Sequence, residues 1–398
     1  MYTFNCRKNS GPEPVTIGNR AITKEKVHMR SRLMLVPLGF VLLSTAVFAQ
    51  SQDYKVAADW LKLPEGRTEI GSMHGDVAVS SAGEVYISVQ GSVRQNVALP
   101  GPNPGLQVYA PDGKFLRNVP NAPGDLHGFI IHKEAAGEFI YGTRLAGGTT
   151  ALDQTRAGLD TQAIIKMTLD GKLVQAIPPT AIPDEFKNKT PDGRPYMRLT
   201  QVAVAPNGDI YATDGYVTSN VHRFDRTGKY IKSFGGKAPP YSFNTLHKIA
   251  IDTRFTPPRI IACDRANGRV VHMSLDGDFL GVVADDMNTP AAVAIRGDYA
   301  AIAELRPGIV TSKKLTGKAV QIVILDKAGK VVTVFGTNTN ADEIGTAATD
   351  PAKWRPGALM APHGVAFNEQ GDVFVSEFNQ WGRVQRFNLQ PRAVSSAR

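Results

Sequence analysis

The feature that most constrains this chain is one unit written six times along its length. Its best copies are residues 199–235 (LTQVAVAPNGDIYATDGYVTSNVHRFDRTGKYIKSFG) and 361–387 (APHGVAFNEQGDVFVSEFNQWGRVQRF). Each holds a short apolar alternation, a tight glycine turn, a second alternation ending at an acid, and a third strand. The same grammar recurs at 75–89, 126–142, 246–273 and 290–304. Five further turns lead from third to fourth strands: PDGK (111–114), LDGK (169–172), RTGK (226–229), LDGD (275–278) and KAGK (327–330). Short glycine turns between β-branched runs mark hairpins. Six such four-stranded units predict an all-β fold, a six-bladed β-propeller. The sixth unit stops after its third strand near residue 389. The segment YKVAADWL (54–61) is expected to complete it, so that an N-terminal strand closes the last blade and leaves no open edge there.

Residues 1–49 read as a leader and signal peptide, and 50–398 as a single propeller domain. Arg30 and Arg32 precede an apolar run over 33–48, and Val47-Phe48-Ala49 offers a cleavage site. Translation is expected to begin at Met1 or Met29, and the mature chain to be exported, periplasmic or secreted, with no membrane span left after cleavage. The leader holds seven basic residues (Arg7, Lys8, Arg20, Lys24, Lys26, Arg30 and Arg32) and two acids (Glu13 and Glu25). Of 45 basic and 36 acidic residues, 38 and 34 then remain, lowering the charge from +9 to +4. With no basic stripe interleaved with aromatics, a nucleic-acid partner is not expected. Cys6 goes with the leader and Cys263 remains alone, so stability must come from a core and not from disulfides.

Long segments at 91–105, 144–162, 178–198, 306–318 and 337–360 fall between second and third strands or between blades. Those connections share one face of a propeller, which places function there. First strands line the channel with small residues, Ala78, Ala203, Ala250, Ala294 and Ala366. At their upper starts stand His127, His247 and His363 in blades two, four and six, with Thr200 in blade three and Ala291 in blade five. His74, in blade one, is shifted by one residue beside Gly75 and Asp76. Histidines in alternate blades can converge on the axis, and three neutral imidazoles with a fourth position open describe a catalytic zinc site. The alternative is that they line a wet channel. His132, His222 and His272 fall at other strand positions and read as surface or inter-strand residues. Asp214, Asp264, Glu304 and Glu377 end second strands and read as loop caps. Just beyond two of them stand Tyr216, a phenol able to exchange protons, and Arg265, a guanidinium able to fork a carboxylate.

At these residues the sequence resembles NHL repeats, and more specifically the peptidyl-α-hydroxyglycine amidating lyase (peptidylamidoglycolate lyase) domain. The matching strings are VAVAPNGDIYATDGY (202–216), LHKIAID (246–252), ACDRANGRV (262–270) and APHGVAF (361–367), with LHGFII (126–131) supplying a further histidine. The resemblance implies zinc on His127, His247 and His363, with His74 as an additional ligand candidate. It also implies Tyr216 as base and Arg265 as carboxylate binder, in an elimination that splits a carbinolamide into an amide and glyoxylate. The family's second arginine aligns near Gln90, leaving Arg94 or Arg144 to take its role. Its structural calcium acid is Gly364 here, so calcium is not expected, and its methionine before the last histidine is Ala361. No copper monooxygenase segment is present in the sequence, which leaves both peptide and small-molecule substrates open.

Two other functions fit the sequence. One is a non-catalytic propeller whose elaborated face takes a protein or glycan partner. The other is a metal-dependent lactonase of gluconolactonase type, whose calcium ring of Glu, Asn and Asp the histidine-bearing channel positions do not match.

Overall fold

A computed structural model describes residues 53–90, 105–124, 126–145, 163–305, 319–344 and 347–391. The leader, Arg94 and most of the long segments at 91–105, 144–162 and 306–318 lie outside the described residues. The described chain forms six antiparallel four-stranded sheets, the six-bladed propeller expected from the repeats, and one small two-stranded ribbon, Asn188–Lys189 with Pro195–Tyr196. In blade three, for example, Gln201–Val204, Ile210–Thr213, Asn220–Phe224 and Tyr230–Gly235 pair in sequence order.

The core is divided among the spaces between neighbouring blades. Tyr141, Ile164 and Ile177 of blade two pack with Val202, Ile210 and Phe224 of blade three. Val77, Val85 and Tyr109 of blade one pack with Phe374 and Val384 of blade six, around Trp60. Four further clusters fill the remaining spaces. Strand alternation explains this: each sheet has two apolar faces, and each face is buried against the next sheet round the ring. Cys263 is a buried free thiol in one of these clusters. Among the described residues no helix is long and apolar enough to cross a membrane.

Blade six is built from Pro362–Phe367, Val373–Glu377 and Arg383–Leu389, with Tyr54–Val56 as its fourth strand. Tyr54 lies opposite Leu389 and Val56 opposite Phe387. The paired strand is shorter than the segment read from the sequence. After Ala57 donates to the Arg386 carbonyl, the chain crosses to blade one, where Lys62 bridges Lys114.

Candidate metal centre

The first strands of four blades share an irregularity that aims their upper residues at the axis. Register shifts by one between Leu126 and Gly128, Leu246 and Lys248, Pro290 and Ala292, and Pro362 and Gly364. The extra residue in each is His127, His247, Ala291 or His363. An extra residue kinks a strand and turns its side chain out of the regular alternation. All three histidines are buried, and their ring centroids form a near-equilateral triangle with sides of 5.1, 4.8 and 4.9 Å.

Each of these imidazoles is anchored in the same way. His127 Nδ1 lies 2.8 Å from the Thr200 carbonyl, His247 Nδ1 2.6 Å from that of Ala291, and His363 Nδ1 2.9 Å from that of Gly75. A carbonyl only accepts, so Nδ1 carries the proton in all three and Nε2 presents a lone pair. Burial holds the three rings well below the usual histidine range, so they are neutral. Blades two, four and six thus supply imidazoles, and blades three, five and one the carbonyls that orient them.

The lone pairs outnumber the protons offered to them. Tyr216 Oη lies 2.9 Å from His127 Nε2 and 3.0 Å from both His247 Nε2 and His74 Nε2. One hydroxyl proton can serve only one of these nitrogens. Among the described residues His363 Nε2 is buried with no hydrogen-bond partner, and an orphaned buried lone pair is costly. A cation among these nitrogens would remove both faults, so the residues fit a metal ion. By donor-atom distance, His74, His127 and His363 form a set within 4.8 Å of one another that can hold one. This set exchanges His247 for His74; the His247 ring centroid lies 5.1 and 4.9 Å from those of His127 and His363, which are 4.8 Å apart. We favour the three anchored rings, because among the described residues no hydrogen bond holds His74 Nδ1 as the carbonyls hold theirs. Burial, with Arg265 next, pushes His74 down to about 3, and Phe378 packs on its ring at 4.5 Å.

Tyr216 lies in the turn beyond Thr213, on a backbone that approaches its neighbours closely. A Cβ on Gly215 would collide with the Leu246 carbonyl oxygen. Over the Tyr216 ring stand two guanidinium groups, with Cζ of Arg265 at 5.3 Å and of Arg198 at 5.6 Å. Burial raises the phenol above its ordinary value, opposed first by Arg265 and then by Arg198.

No family model matches this sequence. Mouse (Mus musculus) peptidyl-glycine alpha-amidating monooxygenase is 32% identical over 85 residues, 20% of this chain and 8% of that protein. The match therefore spans a small part of the relative's length. Among solved structures, a Bacteroides thetaiotaomicron protein of unknown function is 13% identical with a TM-score of 0.52, over 86% of this chain and 73% of that one. An auxiliary nutrient binding protein from the same organism is 11% identical with a TM-score of 0.51, over 85% and 77%. Virginiamycin B lyase from Staphylococcus aureus is 12% identical with a TM-score of 0.49, over 85% and 100%. The first two likenesses show the fold alone.

Within this propeller, the acids at second-strand ends are caps, but they hold the segment leading into the first strand of their own blade, where the sequence suggested the loop that follows them. Asp214 accepts from the Arg198 amide, Asp264 from that of Asn244, Glu304 from that of Asn288 and Glu377 from that of Met360. His132 lies in the far half of the first strand Leu126–Glu134, on the cavity at the opposite mouth of the channel, and His222 and His272 lie on third strands. Arg144 closes a second strand opposite Leu126. The second guanidinium at Tyr216 is Arg198, which the sequence reading missed. It stands before a first strand, not after a second one, and its only local signal was the TDGY turn it faces across the blade.

Proposed function

We propose that this chain is an exported, zinc-dependent carbon–nitrogen lyase acting on a carbinolamide, or a related small hydroxy-carboxylate, as in the amidating lyase it resembles. The observation that carries this reading is the convergence of the His127, His247 and His363 rings, each anchored through Nδ1 with a proton-free Nε2, and the Tyr216 hydroxyl 2.9 and 3.0 Å from the first two of these nitrogens. Neutral imidazole nitrogens suit zinc, whereas calcium takes oxygen ligands. Zinc held by His127, His247 and His363 would supply the positive charge that acidifies a hydroxyl.

The chain's own groups account for the rest. Tyr216 Oη accepts the substrate hydroxyl proton, and the guanidinium groups over its ring favour the tyrosinate needed for that step. The same two arginines fork a carboxylate and so orient the substrate. As the C–O pair closes to a carbonyl, the C–N bond breaks, and the nitrogen leaves with its electron pair and takes up a proton. An amide and glyoxylate result, without any change in oxidation state. The matched segment in the mouse amidating protein supports this reading, and the run over 33–48 supports export. A peptide and a small molecule both satisfy the chemistry, and a protein partner on the elaborated face is compatible with it.

The test is elemental analysis of protein purified without chelators, followed by glyoxylate release from an α-hydroxyglycine substrate. Stoichiometric zinc with glyoxylate release is expected. Folded, metal-free protein would leave a non-catalytic propeller, and lactone opening with calcium alone would make it a lactonase.

A further inference from the structure

One layer below the imidazoles, the residues that follow the axial position are Asp76, Gly128, Gln201, Lys248, Ala292 and Gly364 in blades one to six. Three are small and three are polar. Lys248, fully buried, crosses the channel from blade four to blade one, directly opposite in a six-membered ring, and its Nζ lies 2.9 Å from Asp76 Oδ2. The contact is an ion pair, set outside hydrogen-bond direction. Gln201 Nε2 of blade three donates to the same carboxylate oxygen at 2.9 Å. The small residues make room: a Cβ on Gly364 would collide with Asp76 Oδ1, and one on Gly128 with Gln201 Oε1. Beneath this layer a cavity of about 570 Å³, lined by first-strand side chains such as Ala78, Ile131, Val204 and Phe367, reaches inward to Asp76 and Gln201. The three polar side chains therefore separate that cavity from the histidines.

The pair joins two chain positions that bear on the imidazoles. Asp76 follows Gly75, whose carbonyl orients His363, and Lys248 follows His247. We propose that Asp76, Lys248 and Gln201 form a brace across the channel that sets the mutual geometry of His247 and His363, and that they are positioning residues for the metal. The inference rests on the zinc reading above. A strut of this kind requires a residue with the reach of lysine, and burying its charge is tolerated because the partner carboxylate is fixed from a third blade.

The experiment measures zinc affinity by competition with a chromophoric chelator, and the visible spectrum of the cobalt-loaded protein, for the parent and the Asp76→Asn/Lys248→Met double variant. Each single variant leaves a buried charge unpaired and is expected to unfold at lower temperature, whereas the double variant removes both charges and regains most of that loss. Zinc binding by the double variant is expected to stay about 10- to 100-fold weaker than in the parent, the range for residues that orient ligands, with an altered cobalt spectrum. Parental affinity and spectrum in the double variant would overturn the brace and leave the metal reading intact. A parent that binds no zinc would overturn both. Should the double variant not fold, Gln201→Met decides: it keeps both charges and frees the carboxylate, and zinc affinity equal to the parent's would overturn the proposal.

Discussion

His363 on the last blade points its Nδ1 at the carbonyl of Gly75 on the first, 2.9 Å away. Because the carbonyl can only accept, this contact fixes the tautomer of the ring and turns its second nitrogen into the channel, where among the described residues it is buried without a partner. His127 with Thr200 and His247 with Ala291 repeat the relationship.

Loss of any of these rings is expected to remove the metal. His127→Ala, His247→Ala and His363→Ala should each weaken zinc by more than about 100-fold, above the range for outer-shell changes, as measured by equilibrium competition. His74→Ala should cost less than about tenfold on the same scale. A greater loss at His74 than at His247 would place His74 in the ligand set instead.

Tyr216→Phe removes the hydroxyl that three imidazoles share and leaves the ring beneath both guanidinium groups. Turnover is expected to fall by about 10²- to 10⁴-fold, the usual worth of a positioned acid or base. Zinc content should be unchanged, which elemental analysis on the same sample checks. Wild-type turnover in this variant would remove Tyr216 from the chemistry.

Arg198→Met and Arg265→Met remove one arm each of the pair over Tyr216. Each should raise KM for a carboxylate substrate by about tenfold or more, as expected for a charge-assisted hydrogen bond. An ester of the same substrate, lacking the charge, should lose much less of its discrimination. Equal effects on acid and ester would show that the arginines act on the tyrosine alone.

Acid should weaken the fold through His222, away from the metal centre. Its Nδ1 lies 2.7 Å from Ser233 Oγ, and burial, with Lys187 next, holds it down to about 3 against an ordinary 6.5. The unfolded chain takes the proton first as pH falls. The stability is therefore complete above 6.5 and declines towards 3, by up to about 1.4 kcal/mol per pH unit. Urea unfolding at pH 7 and pH 5 should show a difference about 2 kcal/mol smaller in His222→Gln than in the parent. Identical differences would mean that the folded protein accommodates the charged ring.

Much of the architecture was legible because it is written locally. The glycine turns at Gly113, Gly171, Gly228, Gly277 and Gly329 all take positive φ, a backbone state that favours glycine, so they marked hairpins in the sequence. The histidine positions were legible for a related reason, since each repeat carries its own phase. What the repeats could not show is the one-residue shift at His127, His247 and His363, which leaves the composition of a strand unchanged while redirecting one side chain. Arg198 and Lys248 were also passed over. Their partners lie on other strands or blades, and neither has a neighbour in the sequence that hints at a binding or bracing role.

The sequence by itself determined six units, their strands and turns, and the apolar faces that must meet, because alternation and tight turns act over a few residues. Which nitrogens meet, what holds them and what lies beneath them was decided only when the sheets closed into a ring. Side chains from different blades then shared one narrow channel, where the Lys248 charge met Asp76 across the axis while the His363 lone pair met no partner among the described residues.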